Sequence, residues 1–160
     1  MKKGVTTLIV KERITAEVDG DFVVFLIGMR VNNIFKIHKW LPVASAMPRM
    51  LTELYRNPEL GLISHEQWFG RTTIMLQYWR SFDHLESYAK AKNSNHLPAW
   101  SAFNRNIGSN GAVGIWHETY IIRAGTFESV YNNMPVFGLA KATRSVPAIG
   151  KYKDARSRVG

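Results

Sequence analysis

Cysteine is absent from this 160-residue chain, and acidic side chains are scarce, with 12 aspartates and glutamates against 21 lysines and arginines. The lack of cysteine excludes disulfides and thiolate metal sites. The chain also lacks an apolar run of about 18 residues, which argues against a membrane-spanning helix. The apolar stretch near the start, residues 8–10, is too short for the core of a signal peptide. We therefore expect a soluble, cytoplasmic protein without membrane insertion.

The excess of basic residues is concentrated near the end of the chain. Residues 134–160 contain six lysines and arginines and a single aspartate, out of a formal net charge of +9. A basic tail can attract nucleic acid or anionic lipid. This one has no dense basic block and no accompanying nucleic-acid motif, which favours a solvated or partner-covering tail and no nucleic-acid partner. We expect one domain, 1–160, with a polar lead-in at 1–21 and an irregular tail at 134–160.

Apolar periodicity and breaker residues indicate the order of the main elements. Gly28, inside the first strong apolar run, indicates a bulge or a close approach of backbone. Pro42 and Pro48 divide or kink the first helix, and Ser81 or Asp83 caps the second. The expected elements are strand 22–31, helix 34–55, strands 62–69 and 72–79 joined as a hairpin, a helix after residue 81, a short helix around 96–104 and strand 112–123. Weaker strands are expected at 6–10 and 126–132.

This β-α-β-β-α-β order predicts an α+β protein with a ferredoxin-like antiparallel sheet and helices on one face. The other face of such a sheet is bare. Period-2 alternation places Gln77 and Trp79 together, and we expect them on the bare face with, for one choice of parity, His117. A bare aromatic face is most simply covered by a second copy of the same sheet, so we expect a homodimer through the sheet faces.

The segment YWRSFDHLESYAKAKNSNHLPAW, residues 78–100, resembles the strand–helix–hook region of the antibiotic-biosynthesis monooxygenase superfamily. Further segments resemble a branch of that superfamily grouped with a monooxygenase of a fungal fumagillin pathway: FVVFLIGMRVN, HKWLPVASAMPRML, GIWHETY and NNMPVFGLAKA. The resemblance implies a dimeric α+β barrel and a monooxygenase-like oxidoreductase. The superfamily includes cofactor-free oxygenases of polyketide-like aromatics and haem-degrading proteins.

Two histidines are candidate catalytic residues. If His117 faces a cavity in the last strand, it can act as a general base near neutral pH or as a haem ligand. His96 lies one helical turn before Trp100, and the resemblance makes it the first candidate for a haem axial ligand and His117 the second. Satisfied packing is the alternative for both, and no metal-binding spacing such as H-E-x-x-H is present.

Trp79 and Gln77 are the candidate wall of a substrate pocket, because an indole offers a flat face and an N–H donor. Trp100 and Asn104 would complete the pocket from the hook, and Arg30 would hold an anionic oxygen of the substrate. The alternatives are a core position for Trp79 and a surface ion pair for Arg30. We predict a monooxygenase that acts, without a cofactor, on a small hydrophobic or aromatic substrate of polyketide or terpenoid type. The alternatives are a haem- or small-ligand-binding protein with a histidine ligand and a non-catalytic dimeric interaction module.

Overall fold

The computed structural model describes residues 8–91, 96–106, 108 and 110–159, with only the backbone for 96–98 and 106. The chain forms two compact units, one of residues 22–121 and one that combines the segment before residue 22 with the segment after residue 121. A single domain therefore stays a prediction. In the part of the chain that is described, no helix has the length and apolar character needed to cross a membrane.

Eleven helices and strands follow one another along the described residues, besides two single 3-10 turns. They are β1 (Ile14–Glu17), β2 (Phe22–Val31), α1 (Ile37–Arg56), β3 (Leu62–Trp68), β4 (Ile74–Trp79), α2 (Phe82–Lys90), α3 (His96–Asn106), β5 (Val113–Ile122), α4 (Gly138–Ala142), β6 (Arg144–Pro147) and α5 (Ala155–Arg158). In the larger unit the sheet has the order β3-β4-β2-β5. The predicted α+β, ferredoxin-like arrangement is confirmed.

Capping and apolar spacing explain how α2 begins and packs. Ser81 is the N-cap of α2 and accepts a hydrogen bond from the His84 amide at 3.3 Å, which satisfies one free donor of the first turn. Leu85 and Tyr88, one turn apart, are both buried. Helix α1 continues through Pro42 and Pro48 as one element of 20 residues.

The apolar core of the larger unit lies between the sheet and the helices. Antiparallel pairing places Val23 opposite Trp79 and Phe25 opposite Gln77, so these four side chains share one face. A buried cluster forms on that face; it consists of Val23, Leu54, Leu62, Trp79, Leu85 and Tyr88. Each such side chain contributes roughly 1.5–3 kcal/mol by leaving water. The prediction that Trp79 and Gln77 lie on the bare face is wrong, because the helices cover the face to which both belong.

The opposite face of the sheet requires a glycine at position 28. A Cβ atom added to Gly28 would lie 1.9 Å from the Thr73 carbonyl oxygen and 2.7 Å from Nε1 of Trp116. The predicted close approach is therefore present, and Trp116 lies across the glycine. Among the described residues its buried Nε1 has no hydrogen-bond partner.

The smaller unit joins the two ends of the chain. Strands β1 and β6 pair antiparallel from Ile14 opposite Pro147 to Glu17 opposite Arg144. The segment 134–160 is thus more regular than predicted, since it contains α4, β6 and α5. Of the two weaker strands expected, 126–132 is reduced to a bridge between Tyr131 and Ile14, and the described end of 6–10 to a bridge at Val10.

Acidic residues neutralise part of the basic tail. Arg144 donates to Oε2 of Glu17 from Nε at 2.8 Å, and the Tyr152 hydroxyl donates to Oε1 of the same carboxylate. These two hydrogen bonds lower the pKa of Glu17. Arg158, whose side chain is only 7% exposed, is paired with Glu128. The tail therefore presents less free positive charge than its composition indicates.

Candidate functional site

The helices do not fully cover the central strand of the larger unit. Phe25, Ile27 and Met29 lie on the helix-facing side of β2 and are only half-buried, although β2 has a strand on each side. Ile115 of β5, which has the same parity as Val113, is half-buried as well. We call these four side chains the β2–β5 floor. They form an accessible apolar surface inside the fold, as a pocket for an apolar ligand requires.

Aromatic side chains close one end of the β2–β5 floor. Trp40 and Val43 of α1 and Phe103 of α3 pack with Met29 against the buried start of β5. The indole N–H of Trp40 donates to the carbonyl oxygen of Ile34 at 3.0 Å, so it is not available to a ligand. The indole N–H is thus already hydrogen-bonded, and this end of the floor offers a ligand only apolar contacts from these side chains.

His117 lies at the rim of the β2–β5 floor. Its ring centroid is 5.7 Å from that of Phe25, and the side chain is exposed to solvent. Glu118, the next residue, points to the opposite side of the strand, where it accepts a hydrogen bond from the Tyr120 hydroxyl at 2.6 Å. His117 thus combines contact with the apolar floor and access to water, which a group that exchanges protons needs.

Trp79 and Gln77 form part of the core beside the β2–β5 floor. The Trp79 indole N–H donates to Oε1 of Gln77 at 2.9 Å, and Nε2 of Gln77 donates to the Met75 sulfur at 3.2 Å. Trp79 is 1% exposed and Gln77 3% exposed. Almost no surface of either is left for a ligand, so their effect on a substrate would pass through Phe25, which lies opposite Gln77.

Arg30, Trp100 and Asn104 are exposed and are not brought together with Trp79. Arg30 is on the face away from the helices, where its guanidinium donates to Oγ1 of Thr72 at 2.6 Å. Trp100, 44% exposed, stacks on Phe103 with ring centroids 5.7 Å apart. Asn104 is exposed on α3. Because its strand position turns Arg30 to the other face, the structure does not bring it together with Trp79, and its role in holding a substrate stays a prediction.

The predictions about cofactors concern haem and metal ions. The side chain of His96 lies outside the described residues, so its role as a haem ligand stays a prediction. Among the described residues, no group of three histidine or acidic side chains is arranged to hold a metal ion.

Two hydrogen-bonded side-chain pairs of the larger unit were not predicted. The Tyr88 hydroxyl on α2 donates to Oε2 of Glu53 on α1 at 2.8 Å. Burial raises the pKa of Tyr88, and the Glu53 carboxylate raises it further. The Tyr55 hydroxyl lies 2.7 Å from Nδ1 of His65. The first pair joins residues 35 apart in sequence and the second joins α1 to β3, so the periodicity of a single element could not have indicated either.

These features define the larger unit as a ferredoxin-like α+β unit with an apolar internal floor. The family model described as Monooxygenase af470-like matches residues 22–139, which include all of this unit and the first part of the segment after residue 121. The chain belongs to that family, and the predicted family is confirmed.

The chain is also similar to a named relative. It is 28% identical over 123 residues to Monooxygenase af470 of Aspergillus fumigatus, an alignment that covers 71% of this chain and 43% of the relative. The chain thus spans less than half the length of that protein.

Among solved structures, aldoxime dehydratase is similar with a TM-score of 0.61 and 14% identity, over 99% of this chain and 46% of that one; this likeness shows the fold alone. SnoaB, a cofactor-independent oxygenase from Streptomyces nogalater, is similar with a TM-score of 0.46 and 17% identity, over 64% of this chain and 94% of that one.

Proposed function

We propose that the chain acts as a monooxygenase on a small hydrophobic or aromatic substrate, of polyketide or terpenoid type, and needs no cofactor. Membership of the Monooxygenase af470-like family supports the reaction class. The observation that supports the location is the half-buried β2–β5 floor with His117 against Phe25 at its rim. A flat apolar molecule would lie on this floor, with Trp40 and Phe103 at its far end.

In this proposal the substrate supplies the electrons that reduce oxygen. The neutral imidazole of His117 would take a proton from an acidic C–H bond, and the carbanion formed would add O₂ to give a peroxide. Loss of water from that peroxide leaves a carbonyl, so CH₂ and O₂ become C=O and H₂O with no external reductant. The apolar floor favours this sequence because a flat substrate bound on it would have one face shielded from bulk water.

We also propose that two copies of the chain associate through the sheet faces. On the face away from the helices, Val24, Leu26, Leu76 and Trp116 are half-buried, apolar and partly accessible. Accessible apolar surface of this kind is typical of a protein interface. Measurement of the molecular mass in solution tests the association.

Oxygen uptake tests the proposed reaction. Purified protein is given a panel of hydroxylated polycyclic aromatics and terpenoids, without added flavin, haem or metal. We expect uptake with part of the panel, and His117→Ala should slow it by about 10²–10⁴-fold. His38→Ala is the matched control, because His38 is an exposed histidine on α1.

Either of two results would overturn the proposal. One is the absence of uptake with every compound, and the other is full activity in His117→Ala. A Soret band on addition of haem, lost in His96→Ala or His117→Ala, would favour the ligand-binding alternative.

A further inference from the structure

Large apolar side chains are exposed at the end of the sheet where β2 ends and β4 begins. In the loop between β2 and α1, Phe35 is 91% exposed and Ile34 66%; in the turn between β3 and β4, Phe69 is 81% exposed. The two loops are neighbours, because the Val31 amide donates to the Arg71 carbonyl oxygen at 2.9 Å and Nε of Arg71 donates to the Val31 carbonyl oxygen at 3.2 Å. The three apolar side chains therefore belong to one end of the larger unit.

The loop between β2 and α1 is held in one conformation by hydrogen bonds. The Trp40 indole N–H donates to the Ile34 carbonyl oxygen at 3.0 Å, and the Phe35 amide donates to the Asn33 side-chain oxygen at 3.1 Å. The Lys36 amide donates to the Asn33 carbonyl oxygen at 3.3 Å. A fixed loop that exposes two large apolar side chains is unfavourable in water, which suggests that another phase or molecule covers them.

Positive charge surrounds these apolar side chains. The two segments that carry these apolar side chains, residues 30–41 and 67–74, contain no aspartate or glutamate. Their basic residues are Arg30, Lys36, Lys39 and Arg71. Exposed aromatic and aliphatic side chains beside basic ones, with no acid between them, are typical of surfaces that bind anionic membranes. A protein partner would not require that all charged residues of the surface be basic.

We propose that this end docks on the surface of an anionic lipid bilayer. The docking surface consists of Ile34, Phe35, Lys36, Phe69 and Arg71, and we call it the apolar–basic tip. The apolar side chains enter the boundary between headgroups and acyl chains, and the basic side chains remain at the depth of the phosphate and carboxylate groups. This contact is shallow and does not require a membrane-spanning helix. Docking does not depend on the proposed oxygenase activity.

One consequence of the proposal does rest on the proposed function. Trp40 holds the loop of the apolar–basic tip and also packs at the end of the β2–β5 floor. A lipid-soluble substrate that enters from the bilayer would therefore have to pass Trp40, which closes this end of the floor. Vesicle binding and oxygen uptake are measured separately, so a failure of one is distinguishable from a failure of the other.

Co-sedimentation of the full chain with vesicles tests the docking. We expect binding to vesicles of phosphatidylcholine with phosphatidylserine, weak binding to phosphatidylcholine alone, and weaker binding at higher salt. Phe35→Ser and Phe69→Ser should each reduce the affinity roughly tenfold. Lys36→Gln should reduce it about fivefold, the effect of one basic residue near an anionic surface.

Two variants outside the apolar–basic tip are the controls. Phe82→Ser removes a phenylalanine that is 41% exposed at the start of α2, and Lys153→Gln removes an exposed lysine of the smaller unit. Both should bind vesicles almost as the unmodified chain does, and circular dichroism checks that every variant is folded. Absence of binding to anionic vesicles, or equal losses in control and tip variants, would overturn the proposal. So would self-association that Phe35→Ser abolishes without any effect on lipid binding, because the tip would then be an interface between copies.

Discussion

The substitution Tyr88→Phe isolates one buried hydrogen bond of the core. It removes the hydroxyl that donates to Oε2 of Glu53 at 2.8 Å but keeps the ring, whose centroid lies 6.0 Å from that of Trp79. A hydrogen bond to a charged group contributes about 1.5–3 kcal/mol. Because Glu53 is half-buried, water can replace the lost donor, so we expect a loss near the lower end, about 1.5 kcal/mol at neutral pH.

The same substitution should change how stability depends on alkaline pH. Burial raises the pKa of Tyr88 in the folded chain, whereas the phenol of the unfolded chain ionises near pH 10. The stability that comes from this raised pKa is fully present below about pH 10 and falls as the pH rises further, since only the unfolded chain then loses the proton. One unit above that value the unmodified chain should have lost about 1.4 kcal/mol. Tyr88→Phe lacks this loss, so the difference between the two proteins should shrink nearly to zero.

Urea unfolding at a series of pH values from neutral to alkaline measures this difference. Tyr120→Phe is the matched control, because Tyr120 also donates to a carboxylate, that of Glu118, but is 47% exposed. Its removal should change stability little, since solvent replaces an exposed hydrogen bond readily. A gap between the unmodified chain and Tyr88→Phe that stays constant over the whole pH range would refute the reasoning.

Two further predictions concern other parts of the chain. Gly28→Ala should destabilise the larger unit by roughly 1–3 kcal/mol or more, because its Cβ would lie 1.9 Å from a backbone oxygen. Gly114→Ala should be tolerated, because the nearest atom to its Cβ would be 3.8 Å away. Thermal unfolding compares the two variants. Glu17→Gln should make stability depend less on pH under acid conditions. The lowered pKa of Glu17 provides stability that is fully present above the ordinary pKa of a glutamate and is lost as the pH falls through the lowered pKa. Thermal unfolding between about pH 6 and about pH 3 checks this, and an unchanged acid slope would contradict it.

Short-range patterns were sufficient to predict the elements of the larger unit. The apolar run 22–31, the Gly70–Arg71 connection and the cap at Ser81 each depend on residues close together in sequence. Such signals determine where strands and helices begin and end, because turns and caps are local structures. The order of the elements then restricts the topology to few choices.

The face of the sheet that the helices cover was not predictable in this way. Alternation shows that Gln77 and Trp79 share a face, but β4 is apolar on both faces, so its pattern does not indicate which one the helices occupy. The candidate site depended on this choice, because the helices cover Gln77 and Trp79 in the core, whereas His117 is exposed at the rim of the β2–β5 floor. The pairing of β1 with β6 had no local signal either, since each strand has only four residues.

The pairing of β1 with β6 also sets an order of events during synthesis. Residues 22–121 are contiguous, so this unit can be complete while the rest of the chain is still being translated. Strand β1 precedes this unit in the chain, and its pairing with β6 must wait for residues 144–147. A premature stop before Arg144 would therefore release a chain in which β1 keeps its bridge to Tyr131 but lacks the partner strand β6. A strand edge without its partner is a template for aggregation, so we expect quality control to recognise such truncated products at β1, which is far in sequence from the stop.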